Sequence, residues 1–516
     1  MNNQPSTKQV NTAKIGLFSS ITILISAVVG IGIFFKNKSV LANNDYNGWG
    51  VLISWIVASL ITLTTALAFA EIISASKKHD GSGLAGWALK FCGHRIGRFI
   101  LIVMPLFYFL FKLVDTSFFC GESILLIFNN ESSTSGARII AQDTYVIVLI
   151  AFAIMLIFIA INAFSTRAAK TISSIASIAK FLPLIVVGIL GIVFGALDGF
   201  QHTFFHTSLS SGLTDDPTII GNINVLGIFA SLPALLFTFD SFLTIGNAAS
   251  SMRNPEKDVP KAILIGIPVI VFLYLFVTIG QLLTGQKDVY SFFSYVVTQS
   301  GGSQNALVAT NIIIGCVIMI SLLGSVNAFT LTAIRSMQSA INDEILIGSV
   351  ALKRITNGRA LKGGALMAVV LGTIASGLMA IPIIIQNKDA AYDGVSNLPT
   401  LFFFIIYAII ILFGLINHFT NKIAVKKIKL FPVIACIAII GCAFAFGYNL
   451  FYEYFGRCFA DNKDVSWGMF KGESINRPIA SGLVWAVFGV FLLIPFINDL
   501  CIKLFRKNHN QRLLWM

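Results

Sequence analysis

Asp240 sits near the middle of an apolar stretch, 222–247, within the run Phe237-Thr238-Phe239-Asp240-Ser241-Phe242. An ionisable side chain there is costly in hydrocarbon and faces a bundle interior or a cavity. A second apolar stretch, 15–35, is interrupted at Gly30-Ile31-Gly32-Ile33-Phe34. Two glycines allow a helix to stop and restart. The restarted half points free N–H groups and the positive end of its dipole inward, which suits a carboxylate. Carbonyls freed by unwinding around Asp240 suit an ammonium group. Facing one another, the two interruptions match the zwitterionic backbone of an α-amino acid.

Each feature also has a plainer reading. A Gly-x-Gly lets a neighbouring helix approach closely without any break. Asp240 serves equally as a structural carboxylate paired with a Ser, Thr or Lys. Against these stands the cost of unpaired backbone in hydrocarbon, so that non-helical segments persist only around a cavity or ligand. Interrupted helices at corresponding places in two halves of a chain point to a transporter's binding site. Lys180, in Ala179-Lys180-Phe181-Leu182-Pro183, either changes charge as its surroundings alternate between wet and dry or snorkels to headgroups. Lys112 and Asp115 are three residues apart on one helical face, which predicts an intramembrane pair, with a role in the substrate pathway as the alternative. Glu71, near the inner end of its stretch, is expected at the interface.

The elements that position these groups follow from composition. The 516 residues are 56% hydrophobic and 11% charged, with a mean hydropathy of +0.84, which places the chain among integral membrane proteins. Spans of ~20 mainly apolar residues are predicted at 15–35, 48–76, 98–128, 144–163, 175–197, 222–247, 260–284, 304–334, 364–386, 398–418, 431–454 and 480–501. The fold class is thus all-α with 12 transmembrane helices. Laying the interrupted first helix over the sixth predicts a five-plus-five inverted repeat with two appended C-terminal helices. The divisions are a tail at 1–14, repeats at 15–198 and 222–418, two further helices at 431–501, and a tail at 502–516.

Of the 36 Lys and Arg, 26 fall to segments on the side of the N-terminus and nine to the other side. This asymmetry predicts both termini in the cytoplasm. It also explains the net charge of +13 by membrane orientation and anionic lipid rather than nucleic acid. Lys8 and Lys14 precede the first stretch without a small-residue cleavage site, so it reads as an uncleaved helix. The seven cysteines lack metal-ligand spacing. Buried thiols are the default for them, with a Cys120–Cys458 pair as the alternative. No cofactor or metal is expected.

Two motifs carry a resemblance. Ala27-Val28-Val29-Gly30-Ile31-Gly32-Ile33-Phe34 resembles the first-helix GSGIF-type motif of the amino acid–polyamine–organocation permeases. Phe237–Ser250, followed by Arg253-Asn254-Pro255-Glu256-Lys257-Asp258-Val259-Pro260-Lys261-Ala262-Ile263, resembles their sixth helix and its cytoplasmic loop. Gly81-Ser82-Gly83 and Ile334-Arg335 are weaker matches. The resemblance covers the first ten helices and implies a LeuT-like fold with helices 1 and 6 broken. It implies that Gly30, Ile31, Gly32 and Ile33 receive a substrate carboxylate on backbone N–H groups. Carbonyls near Val28, Phe237 and Asp240, with Thr238 and Ser241 beside them, would receive the ammonium. Phe237 corresponds to the aromatic gate, and Lys180 to the lysine that replaces a sodium ion beside helices 1 and 8 in proton-coupled members. The chain departs from the pattern at Ile31, where Ser is usual, and at Ser250 and Ser251, where an acidic residue is common.

These features point to a secondary transporter of amino acids or related amines in the plasma membrane, working by proton-coupled uptake, with exchange as the alternative. Asp240 raises a further expectation, a preference for cationic substrates. A membrane enzyme is disfavoured because no HExxH, GxSxG or P-loop is present and the six His lie in loops, tails or helix ends. A nutrient sensor on the same fold is disfavoured because no large signalling domain is evident.

Overall fold

The computed structural model describes residues 16–75, 83–128, 144–201, 203–205, 223–243, 245–246, 254–386, 394–459 and 477–505. Every regular element among them is helical: α1 (Leu17–Val28), α2 (Ile31–Asn43), α3 (Gly48–Ile73), α4 (Leu84–Cys92), α5 (His94–Val103), α6 (Phe109–Phe128), α7 (Thr144–Phe164), α8 (Thr166–Leu197), α9 (Val225–Ala230), α10 (Leu232–Phe239), α11 (Pro255–Leu283), α12 (Val289–Gln299), α13 (Gln304–Asn342), α14 (Ser349–Ile355), α15 (Ala360–Gln386), α16 (Leu398–Thr420), α17 (Phe431–Gly447) and α18 (Arg477–Phe505). Among the described residues ten helices are long and apolar enough to cross a membrane, or eleven if α1 and α2 form one bent span. The predicted span at 222–247 is present as the shorter apolar segment Val225–Phe239. The protein is therefore a multi-pass membrane protein. Both predicted tails (apart from 502–505), Gly81-Ser82, and Ser250, Ser251 and Arg253 lie outside the described residues.

α1 ends at Val28 and α2 begins at Ile31, the two meeting at 42°. Gly30 at the junction has φ −166°, extended backbone that any residue adopts, so freedom of torsion is not what the glycines supply. They supply room. A Cβ on Gly32 would lie 2.5 Å from the Thr238 Cα, and one on Gly30 would lie 3.1 Å from the Ser325 hydroxyl. The break and the close approach, alternatives in the sequence, occur together. α10 ends at Phe239, and Ser241 beyond it takes φ +72°, a left-handed conformation that L-residues rarely adopt.

Small residues set the other crossings. Gly191 of α8 meets Gly280 of α11 backbone to backbone, and Gly324 of α13 meets Ala176 of α8; in lipid such contacts replace the hydrophobic drive that packs soluble helices. A π-turn at Met104–Tyr108 separates α5 from α6. Pro105 within it lacks an N–H and its ring clashes with the preceding turn, which accounts for the irregularity. Asn254 caps α11, with Pro255 at the first position, where a missing N–H costs nothing.

One expectation is refined and one alternative is set aside. Glu71, expected at the interface near the inner end of its helix, is buried against protein and 2% exposed. Its carboxylate lies 2.7 Å from His418 Nδ1 and accepts from the Ile428 N–H at 2.8 Å, tying the α16–α17 connection to α3. Cys120 and Cys458 are separate buried thiols and form no disulfide. Glu71→Ala would strip the half-buried Ile428 N–H of its acceptor and His418 of its carboxylate partner, and is expected to cost about 1–3 kcal/mol of stability. In detergent this should appear as a lower Tm, with Glu71→Gln milder; an unchanged Tm for the alanine variant would contradict the anchoring role.

Candidate binding site at the crossing of the broken helices

The nine residues expected to hold substrate are all buried, and the fold brings them to one crossing. The break leaves the first-turn N–H groups of Ile31, Gly32 and Ile33 without intrahelical acceptors, and Gly30 adds no side-chain cap. Against this turn lies Thr238, the penultimate residue of α10. Both helix ends leave carbonyls free, and Tyr274 of α11 reaches two of them: its hydroxyl lies 3.1 Å from the Val28 oxygen and 3.2 Å from the Thr238 oxygen.

Asp240 is only 4% exposed and is fully engaged. Lys112 Nζ lies 2.9 Å from Oδ2, and the Thr400 hydroxyl donates to the same oxygen at 2.7 Å. Oδ1 accepts from the Tyr108 hydroxyl and from the Ser241 N–H, each at 2.8 Å. The π-turn puts Tyr108 in place, and the left-handed turn at Ser241 folds its N–H back onto the carboxylate. Lys112 therefore pairs across to α10, where an intrahelical pair with Asp115 was expected. A four-carbon stem lets its ammonium leave its own helix face, and Thr400, which also accepts from it at 3.1 Å, completes the arrangement.

Phe237 lies between two buried cations. Lys112 Nζ is 3.8 Å and Lys36 Nζ 4.5 Å from its ring centroid, within the range of cation–π attraction. Lys36 is wholly buried and donates to Ser396 Oγ at 2.7 Å. Next to it, Asn37 donates to Gln281 and accepts from Trp55 Nε1 at 3.0 Å. Together these polar contacts close one side of the crossing.

On the other side Lys180, 3% exposed, donates to the Ser26 carbonyl of α1 at 2.8 Å and lies beside Gly324 of α13. A cavity of about 690 Å³ begins at Ser26, Ala27 and Lys180 and continues between α8 and α13 to Arg335 and Asp343. None of the nine crossing residues lines it. Along α1 the cavity reaches Ala27, the residue before Val28. Among the described residues no three His, Cys, Asp or Glu come together as a metal site.

Residues 15–471 match the family model described as amino acid permease. The chain belongs to that family. The mouse b(0,+)-type amino acid transporter 1 is 25% identical over 441 residues, 83% of this chain and 80% of its own length. The serine/threonine exchanger SteT of Bacillus subtilis is 24% identical over 273 residues, about half of each chain (52% and 54%). The rabbit large neutral amino acids transporter small subunit 2 is 25% identical over 278 residues, 52% of this chain and 47% of its own. The permease is thus a member of the amino acid–polyamine–organocation superfamily, and its family transports amino acids rather than catalysing a reaction.

Sequence reasoning missed Lys36, Tyr108, Tyr274 and Thr400 in the permease. Lys36 stands one residue past the predicted end of the first span at Phe35; continuing that helix to Asn43, as α2 does, would have flagged it. Lys112→Met would leave Asp240 charged and buried without its cation, and is expected to cost about 3–5 kcal/mol. Lys112→Met/Asp240→Asn should recover much of that loss in melting experiments; strictly additive losses would contradict the pairing.

Proposed function

We propose that the permease carries neutral amino acids by alternating access and that the structure is an inward-facing form closed over its binding site. The observation that carries this reading is the crossing itself: free N–H groups at Ile31–Ile33 face free carbonyls at Val28 and Thr238, donors for a carboxylate against acceptors for an ammonium. Helices of 15–198 and 222–418 act as two inverted halves in this reading, with 431–501 appended and both tails cytoplasmic. Support for the inward-facing assignment comes from the cavity, which leads to Arg335 and Asp343 beside the basic segment 335–363. Lys36, Asn37 and Phe237 close the opposite side.

Neutral substrates follow from charge. Asp240 is balanced by Lys112 at 2.9 Å and holds no uncompensated charge for a cationic side chain. The relatives named for serine/threonine and for large neutral amino acids are in keeping with this. The carboxylate sits on backbone N–H groups of Gly30, Ile31, Gly32 and Ile33, and the ammonium among carbonyls at Val28, Phe237 and Thr238, near Asp240 and Ser241. Phe237 is the gate on the outer side.

Lys180 is the coupling residue in this reading. Its ammonium clamps the Ser26 carbonyl of α1 to α8, and proton loss would release α1 to move. The second reading is exchange, favoured by the relative that is named an exchanger.

Proteoliposomes test both. Uptake of leucine or serine into empty vesicles should rise when the outside is acidified, and Lys180→Ala should abolish that response. Uptake only into preloaded vesicles would support exchange. Preference for lysine or arginine would contradict the neutral assignment. A ligand present at 100 times its Kd should stabilise purified protein by about 2.7 kcal/mol, and the absence of any shift across all amino acids would contradict transport of them.

A further inference from the structure

Tyr274 is fully buried on α11, packed edge-on against Trp55 (5.6 Å between centroids) and beside Phe239 (5.2 Å). Its hydroxyl is within hydrogen-bond distance of two carbonyls from different helices, Val28 at 3.1 Å and Thr238 at 3.2 Å. Both are last-turn carbonyls, of α1 and α10, and have no intrahelical N–H to accept from. A phenol has one proton and satisfies one of them at a time. Two buried acceptors therefore share a single neutral donor. An alkylammonium in the same place brings three charged N–H donors, and charge-assisted bonds are roughly twice as strong as neutral ones.

We infer that the Tyr274 hydroxyl is a stand-in for the substrate ammonium. In the empty permease it holds the Val28 and Thr238 carbonyls facing one another; an arriving amino acid displaces it and takes both. Tyr274 is thus a positioning residue and a built-in competitor. It keeps the two broken helices in register without substrate and lowers affinity enough for substrate to leave. The inference rests on the proposed reading of the crossing as the amino acid site.

The competitor role reverses the usual sign of a mutation in a binding site. Tyr274→Phe keeps the ring against Trp55 and Phe239 but leaves two buried carbonyls without a donor. That penalty falls on the empty state alone, because the ammonium satisfies both carbonyls in the bound state. The variant should melt at lower temperature without ligand and bind substrate more tightly, with Kd falling about tenfold, equivalent to about 1.4 kcal/mol. Maximal transport should fall as release slows.

The test is equilibrium binding of radiolabelled L-serine and L-leucine to the purified full-length permease, wild type against Tyr274→Phe. A lower Kd in the variant supports the inference, and an unchanged or higher Kd overturns it. A packing role alone would lower Tm equally with and without ligand and leave Kd where it was. If the phenylalanine variant does not fold, 3,5-difluorotyrosine placed at 274 keeps the shape and donates more strongly. Kd should then rise, and no rise overturns the inference. Binding of neither amino acid by the wild type would overturn the reading of the site and this inference with it, whereas normal wild-type binding with no shift in the variants removes the role of Tyr274 alone.

Discussion

Unpaired backbone at depth is the constraint from which the rest of the structure follows. Where α1 stops at Val28 and α10 at Phe239, N–H and C=O groups lose their helical partners with no bulk water to replace them. The side chains around the crossing read as answers to that deficit. Tyr274 serves two carbonyls, and Asp240 receives the Ser241 N–H. Lys180 takes the Ser26 carbonyl one turn below the break. The N–H groups of Ile31 to Ile33 are left as the natural place for an anionic partner.

Charge is handled with the same economy. Asp240 draws four donors from α6, α16, its own turn and the π-turn before α6, which joins elements distant in the chain at one carboxylate. Lys112 in that pair also lies over Phe237, as does Lys36 from α2. The aromatic ring is thereby coupled to the first helix, the third and the sixth predicted spans. In the proposed reading, a substrate that moves Phe237 disturbs both cations, a physical route from occupancy to opening of that side. A buried pair of this kind is weak evidence for net stability, whereas loss of one partner strands the other charge.

The sequence was most informative where a rule is local. Asp240 in an apolar run and Gly30-Ile31-Gly32 in another are violations visible in a window of a few residues, and Lys180 is a third. Tyr274 was not legible because Phe272-Leu273-Tyr274-Leu275-Phe276 reads as ordinary apolar helix; only the fold shows that this ring points at two freed carbonyls. Thr400, within Leu398-Pro399-Thr400-Leu401, is hidden for the same reason. The expected Lys112–Asp115 pair failed because spacing along a helix fixes where Cβ atoms lie and not where a long side chain ends. The glycines were read for torsion or, alternatively, for close approach, and the structure shows the close approach, at Thr238, beside the break.

The most direct test of the account is a cryo-EM map of the full-length permease in lipid nanodiscs with saturating L-leucine. The account predicts ligand density at the crossing, its carboxylate against the N–H groups of Ile31 to Ile33 and its ammonium between the Val28 and Thr238 carbonyls. Density confined to the cavity beside Lys180, with the crossing still filled by Tyr274 and Phe237, would contradict it.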